Sequence, residues 1–345
     1  MRKLSSVYME DLEYLSNVDF IEYEKFRGKT FFISGITGLI GSMLANALAY
    51  ANDKYSLDIR IVGLVRDIEK ARILFTDIDC LTFIEGNLDD FSFPENGIDY
   101  IVHAASPTSS KFFNENPVEL ISVVYNGTER MLQLAKEKEA RLIFLSTMEV
   151  YGTPSTDDKI SETSPSYLNT MSARSSYPEV KRLAENLVAS YCAEYGVDGM
   201  VLRLTQTFGP GVKYNDGRVF AEFARSAVEK KDIILATKGE TKRNYLYVAD
   251  AVSAILCVLL NGESSSAYNV ANEDTYCSIY EMAKLVADKV ANGDIDVLIK
   301  EDPNNNRGFA PTLHMNLDTT RLRNLGWKLS KNLEAMFIRM IKDFR

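Results

Sequence analysis

Short apolar runs, each followed by a polar or glycine-bearing turn, punctuate the first half of the chain. Thr30-Phe31-Phe32-Ile33-Ser34, the segment from Asp58 to Val65, Leu81 to Ile84, Tyr100 to His103 and Arg141 to Ser146 have the length and apolar content of buried strands. A helix is predicted between the last two, from about Val118 to Glu139. Strands alternating with helices of this length predict an α/β fold with a parallel, doubly wound sheet, whose ligands bind beyond the strand C-termini. Upstream, Leu12, Leu15, Val18, Phe20 and Ile21 fall close to helical spacing, so residues 1–27 are expected to form a helical extension packed on the domain surface or at a subunit contact. Beyond about residue 205 the alternation breaks into loops and short elements around Gly209-Pro210-Gly211 and Asn215-Asp216-Gly217.

The turn after the first strand carries chemistry. Gly35-Ile36-Thr37-Gly38-Leu39-Ile40-Gly41 separates the strand from the helix-forming stretch beginning at Ser42. Gly35 suits a tight turn, Gly38 a close approach of backbone to a pyrophosphate, and Gly41 close packing of helix on strand, with the helix N-terminus facing phosphate. Thr37, Leu39 and Ile40 complete this nucleotide-binding turn.

Composition narrows the chemistry. The 345 residues are 46% hydrophobic and carry a net charge of -9 with no dense Lys/Arg stripe, which argues against a nucleic-acid surface and for a small-molecule partner. Cys80, Cys192, Cys257 and Cys277 have no disulfide-motif or zinc-ligand spacing, as expected in a reducing, cytoplasmic setting. Acidic residues interrupt the first segment before any signal-like core, and the longest apolar run, Ala251 to Leu260, is too short to span a bilayer. His103 and His314 are the only histidines, so no metal site is expected and acid/base work falls to Tyr, Lys, Glu or Asp.

Tyr177 and Lys181 stand four residues apart after Ser175-Ser176, with Pro178 placed for a first helical turn. At that spacing both side chains share a helix face, and the ammonium is expected to favour the phenolate of a tyrosine that otherwise titrates near pH 10. The fifth strand ends in Ser146-Thr147-Met148-Glu149-Val150-Tyr151-Gly152.

Together these segments resemble the extended short-chain dehydrogenase/reductases, the family of nucleotide-sugar epimerases, dehydratases and decarboxylases. Further matches are His103-Ala104-Ala105-Ser106-Pro107, Asn126-Gly127-Thr128, Arg203 to Pro210, Arg243 to Asp250 and Leu325-Gly326-Trp327, covering roughly residues 28–330. Within the family the chain is most similar to the UDP-glucuronate decarboxylases (UDP-xylose synthases), through Ala105-Ser106-Pro107 with Asn116-Pro117, Arg174 before the tyrosine, and Asn215 to Val219. Met148 stands where 4,6-dehydratases carry an aspartate, which argues against dehydration.

The resemblance implies a Rossmann-type domain over 28–204 and a smaller C-terminal substrate-binding lobe mainly within 205–345, intertwined with it. It implies that Tyr177, Thr147, Lys181 and Glu149 are catalytic, with Tyr177 removing the proton of a sugar C4 hydroxyl. A dinucleotide would be held by Gly35, Thr37, Gly38, Leu39, Ile40, Gly41, Arg66, Asn87, Leu88, Ala104, Ala105 and Ser106 together with Tyr177 and Lys181. The nucleotide sugar, UDP-linked by this likeness, would meet Pro107, Thr147, Glu149, Arg174, Gln206, Arg218, Arg243 and Arg307. The cofactor implied is NAD; Val65-Arg66-Asp67 leaves NADP as the alternative, since Arg66 suits a 2′-phosphate, whereas Asp67 suits a ribose hydroxyl. Epimerisation, 4,6-dehydration, one-way NADPH-dependent reduction of a keto-sugar nucleotide and a non-catalytic nucleotide sensor stand as other readings. Relatives pair through the helices holding Asn126 and Tyr177, which implies a homodimer.

Overall fold

The computed structural model describes residues 4–107, 110–301 and 312–344, with side chains for all of these except 110 and 111. In chain order the first half comprises α1 (Ser6–Asn17), β1 (Thr30–Ser34), α2 (Leu39–Tyr55), β2 (Arg60–Val65), α3 (Ile68–Leu74), β3 (Leu81–Glu85), β4 (Tyr100–His103), α4 (Ser110–Glu115), α5 (Pro117–Lys138), β5 (Arg141–Thr147) and β6 (Lys159–Ile160). It continues with α6 (Ser176–Tyr195), β7 (Gly199–Leu204), β8 (Gln206–Phe208), α7 (Val219–Glu229), β9 (Ile233–Leu235), β10 (Lys242–Tyr247), α8 (Val248–Asn261) and β11 (Ser266–Val270). Then follow β12 (Asn272–Ser278), α9 (Ile279–Leu285), β13 (Val297–Ile299), β14 (His314–Leu317), α10 (Thr320–Arg323) and α11 (Leu333–Phe344).

Seven parallel strands form the main sheet in the order β3-β2-β1-β4-β5-β7-β11. Residues of one strand divide between its two faces: Phe31 and Ile33 join the core under α2 and α8, whereas Phe32 joins the core under α5 and α6. Ile143 and Leu145 of β5 divide from Leu142 and Phe144 in the same way. A strand covered on both faces has no polar side to alternate with, which is why these runs read as uniformly apolar. The second strand begins at Arg60 rather than at Asp58, because Asp58 adopts a left-handed φ of 56° incompatible with the ladder.

The apolar run Ala251 to Leu260 is the body of α8, whose residues are buried almost all round between the sheet and the terminal helices. Among the described residues no helix is long and apolar enough to cross a membrane. Both α8 and β11 return from beyond residue 205 to the main sheet. The rest of the C-terminal part, joined by β6 from the first half, builds a smaller layer: β12-β10-β14-β6 with β8 alongside β10, the β9–β13 pair, and α7, α9 and α11.

Residues 6–26 form α1 and a 3-10 turn over Tyr23–Phe26, and they are integral to the core. Val7, Leu12 and Leu15 are buried, and α1 packs on α2, α8 and α11. Asp11, 1% exposed, accepts from the Tyr247 hydroxyl at 2.6 Å and from Arg339 at 2.8 Å, while Arg339 also donates to the Tyr247 oxygen and the Val7 carbonyl, both at 2.7 Å. This buried ionic knot joins α1, β10 and α11; burial pushes the Asp11 carboxyl up, against the pull of Tyr247 and Arg339. Leu15→Ala is therefore expected to cost about 2–5 kcal/mol in urea unfolding monitored by circular dichroism. A variant indistinguishable from the parent would mean that α1 is a loose appendage.

Candidate active site

The ends of β1 and β4 lie side by side, Ser34 pairing in register with His103. Gly35 turns the chain with φ 71°, and a Cβ there would stand 2.6 Å from the Ala105 amide nitrogen, so only glycine fits. A Cβ on Gly41 would meet the Gly35 carbonyl oxygen at 2.3 Å. That contact seats the start of α2 against the turn, leaving Thr37 and Gly38 exposed at a helix N-terminus whose first amides have no partner within the helix. Leu39, Ile40, Ala104, Ala105, Ser106 and Pro107 are partly buried around it, with the Ala104 amide on the Ser34 carbonyl at 3.2 Å. Close-approach glycines and an open helix start suit a dinucleotide pyrophosphate.

Arg66 and Asn87 follow the C-terminal ends of β2 and β3 on the same sheet edge, both exposed. Asp67 is committed to α3: its carboxylate accepts from the Lys70 amide at 3.0 Å and pairs with the Lys70 ammonium at 2.8 Å. Leu88 instead packs against Gly127 of α5, where an added Cβ would meet it at 3.0 Å.

Further along that edge, β5 ends at Thr147 and α6 begins with Tyr177 and Lys181, all three buried. The hydroxyls of Thr147 and Tyr177 are hydrogen-bonded to one another. Lys181 Nζ donates to the Leu145 carbonyl at 2.9 Å and lies 4.5 Å from the Phe144 ring centre. Phe113 of α4 stacks flat on the Tyr177 ring, 4.3 Å between centres and 8° between planes. The sequence reading missed this residue; the aromatic pair Phe112-Phe113 soon after Ser106-Pro107 was the signal available.

One expectation is corrected. The spacing argument has Lys181 stabilising the phenolate, yet the protein groups around Tyr177 push its hydroxyl well above the ordinary tyrosine value. Burial is the main cause and the negative charge of Glu149 the second, with only the Thr147 hydrogen bond opposing. The ammonium spends a hydrogen bond on Leu145 and is itself pulled by burial from 10.5 to about 7.

Glu149 sits in the 3-10 turn Met148–Tyr151 that follows β5. Crowding by protein pushes its carboxyl up, while Arg243 and then Arg174 pull it down. Since the side chain is exposed to the cleft, water moderates the push. Arg243 of β10 is half-buried and, among the described residues, its Nε has no hydrogen-bond partner; Gln206 Oε1 on β8 is likewise buried without one among them. Buried polar atoms of this kind call for a ligand or water. Arg218 is engaged by its own loop, both oxygens of Asp216 accepting from it at 2.9 and 2.7 Å. Arg307 lies outside the described residues. The structure thus gathers Thr147, Tyr177, Lys181, Glu149, Arg174 and Arg243, and gives Arg218 a local partner.

His103 is buried between the Ser34 and Thr128 hydroxyls, at 2.7 and 3.3 Å, and burial drives it down to about 3. Met148 is packed beside Val150, Tyr151 and Ile160, its sulfur on the Thr205 hydroxyl, and cannot donate a proton. Among the described residues no cluster of His, Cys, Asp and Glu could hold a metal ion.

Comparison with known proteins places this geometry. The model of the NAD dependent epimerase/dehydratase family matches residues 31–271. UDP-glucuronic acid decarboxylase 1 of Xenopus tropicalis is 32% identical over 272 residues, 77% of this chain and 61% of that protein. UDP-glucuronic acid decarboxylase 5 of Arabidopsis thaliana is 32% identical over 253 residues, 72% of this chain and 70% of that one. The chain therefore spans between about three-fifths and seven-tenths of these relatives. A UDP-N-acetylglucosamine 4-epimerase from Methanobrevibacter ruminantium, solved with UDP-N-acetylmuramic acid, shares the fold with a TM-score of 0.79 at 21% identity, covering 92% of this chain and 98% of its own. A dTDP-glucose 4,6-dehydratase from Streptomyces venezuelae, solved with NAD, does so with a TM-score of 0.74 at 20% identity, covering 91% and 96%.

The depressed Lys181 makes a thermodynamic prediction. Its charged form is disfavoured on folding, so the destabilisation it causes is fully present below about pH 7 and fades as pH rises from about 7 towards 10.5. Relative to the parent, Lys181→Met should be most favoured in thermal midpoint at pH 6 and lose that advantage steadily between pH 7 and pH 10. A difference that does not change with pH would contradict the depressed value.

Proposed function

This chain belongs to the NAD dependent epimerase/dehydratase family, and we propose that it decarboxylates a UDP-linked uronic acid through transient oxidation at the sugar C4. What carries this reading is the gathering of Thr147, Tyr177 and Lys181 at the end of β5 with Glu149, Arg174 and Arg243 around the same cleft. In it, residues 28–204 mainly hold NAD and residues 205–345 mainly hold the sugar nucleotide. NAD, held along the Gly35–Gly41 turn and by Ala104, Ala105 and Ser106, would supply the hydride acceptor and donor and a positive charge that favours the phenolate.

Thr147 holds the C4 oxygen and Tyr177 takes its proton, which the bond between their hydroxyls aligns. Lys181, anchored on Leu145, faces the ribose side. A C4 ketone lies beta to the C6 carboxylate, so carbon dioxide can leave as the electron pair delocalises into an enolate. Glu149, whose raised carboxyl retains a proton more readily than a free one, would return that proton to carbon, with Arg174 balancing charge. Arg243 Nε and Gln206 Oε1, buried without partners among the described residues, would meet the diphosphate and sugar. Met148 supports decarboxylation over dehydration, since it puts a thioether where dehydration needs an acid.

The protein would act as a homodimer: α5 and α6 pack together and leave Val118, Ile121 and Leu183 exposed. Four free cysteines fit a reducing, cytoplasmic compartment.

Incubation with UDP-glucuronate and NAD should yield a product lighter by one carbon dioxide, without net reduction of NAD. Tyr177→Phe should lower turnover by about 10²–10⁴-fold. An unchanged product mass would move the assignment to epimerisation, and stoichiometric consumption of NADPH, for which exposed Arg66 is suited, would overturn it. Light scattering at micromolar concentration should give the dimer mass.

A further inference from the structure

We propose that Glu185 is a positioning residue of this centre, its carboxylate clamping the end of β5 onto α6 and holding a negative charge one helical turn from the Lys181 ammonium. The inference rests on Tyr177 and Lys181 being the reacting pair. Glu185 follows Lys181 by four residues in α6 and so shares its face.

Its carboxylate is held by two elements of the sheet. Ser146, between Leu145, whose carbonyl binds Lys181, and Thr147, whose hydroxyl binds Tyr177, donates its hydroxyl to Glu185 at 2.5 Å. Arg203 of β7 straddles both oxygens, with Nε at 3.1 Å from each and the terminal nitrogen at 2.7 Å. The other end of that guanidinium donates to the Tyr151 hydroxyl and the Glu162 carbonyl, each at 2.8 Å, and Tyr151 donates in turn to Asn269 at 2.7 Å. The network therefore ties α6 to β5, to the turn carrying Glu149 and to β11. A polar cavity of about 380 Å³, lined by residues that include Glu162, Arg182, Glu185 and Arg203, borders the pair.

The electrostatic consequence concerns Lys181. Burial works against its charge, and Glu185 is the group that works for it. Tyr177 on α6 and His103 on β4 also lie beside it; the imidazole, down at about 3, stays neutral near pH 7. Removing Glu185 should therefore drop the ammonium at a lower pH and release Ser146.

The test reads Lys181 directly, by NMR of full-length protein labelled with ¹³C at lysine Cε, with Lys181→Arg supplying the assignment. In Glu185→Gln, which preserves shape and can still accept from Ser146, the Lys181 midpoint should fall by about one pH unit. Should the unpaired Arg203 unfold that variant, Glu185→Gln/Arg203→Gln leaves no lone buried charge and should show a fall of the same sign, smaller because a neighbouring cation is lost as well. An unchanged midpoint in either folded variant overturns the proposal, as a purely structural clamp would leave the titration in place. Turnover of UDP-glucuronate should lose its alkaline limb at correspondingly lower pH. A shifted Lys181 in a protein that turns over no nucleotide sugar would remove the proposed activity and leave the action of Glu185 on Lys181 standing.

Discussion

Desolvation at the seam between β5 and α6 is the constraint on which the site depends. Thr147, Tyr177 and Lys181 are brought out of water there, and each polar atom must be met by protein. The Leu145 carbonyl meets the ammonium, and the Thr147 hydroxyl meets the phenol. The same burial works against both charged forms, pushing the phenol of Tyr177 up and the ammonium of Lys181 down.

The rest of the architecture serves to hold that seam and the glycine turn at one sheet edge. Parallel strands place Ser34, His103 and Thr147 at their C-terminal ends, so three separate βα turns converge without any long-range coding beyond strand order. The smaller layer adds the cations. Residues Arg243 to Tyr247 of β10 pass from the cleft, where Arg243 faces Glu149, to the ionic knot of Tyr247, Asp11 and Arg339. One strand therefore links the N-terminal helix, the C-terminal helix and the site, and α1 becomes part of the core rather than a decoration.

The strand pattern, the glycine turn and the Tyr177–Lys181 pair were readable because each is a matter of spacing within a few residues: alternation, turn geometry and helix pitch are local. Strand boundaries moved by one residue at Glu85 and Thr147, and by two at Asp58, where a left-handed backbone intervened. Phe113 escaped notice because stacking on Tyr177 across more than sixty residues of chain leaves no periodic trace. Arg218 matched a motif, yet its charge is met by Asp216 two residues before it, a pairing that motif spacing cannot foresee.

By itself the sequence determined the α/β class, the order of the first five strands, the place of the phosphate turn and the residue types available for proton transfer in a chain with two histidines. Only the tertiary structure decided which charges act on one another: Glu149 between Arg243 and Arg174, Glu185 between Arg203 and Ser146, and Asp11 beneath Tyr247 and Arg339. The reason is physical. Secondary structure follows from interactions a few bonds away, whereas burial and charge are sums over every group nearby in space, most of them distant along the chain.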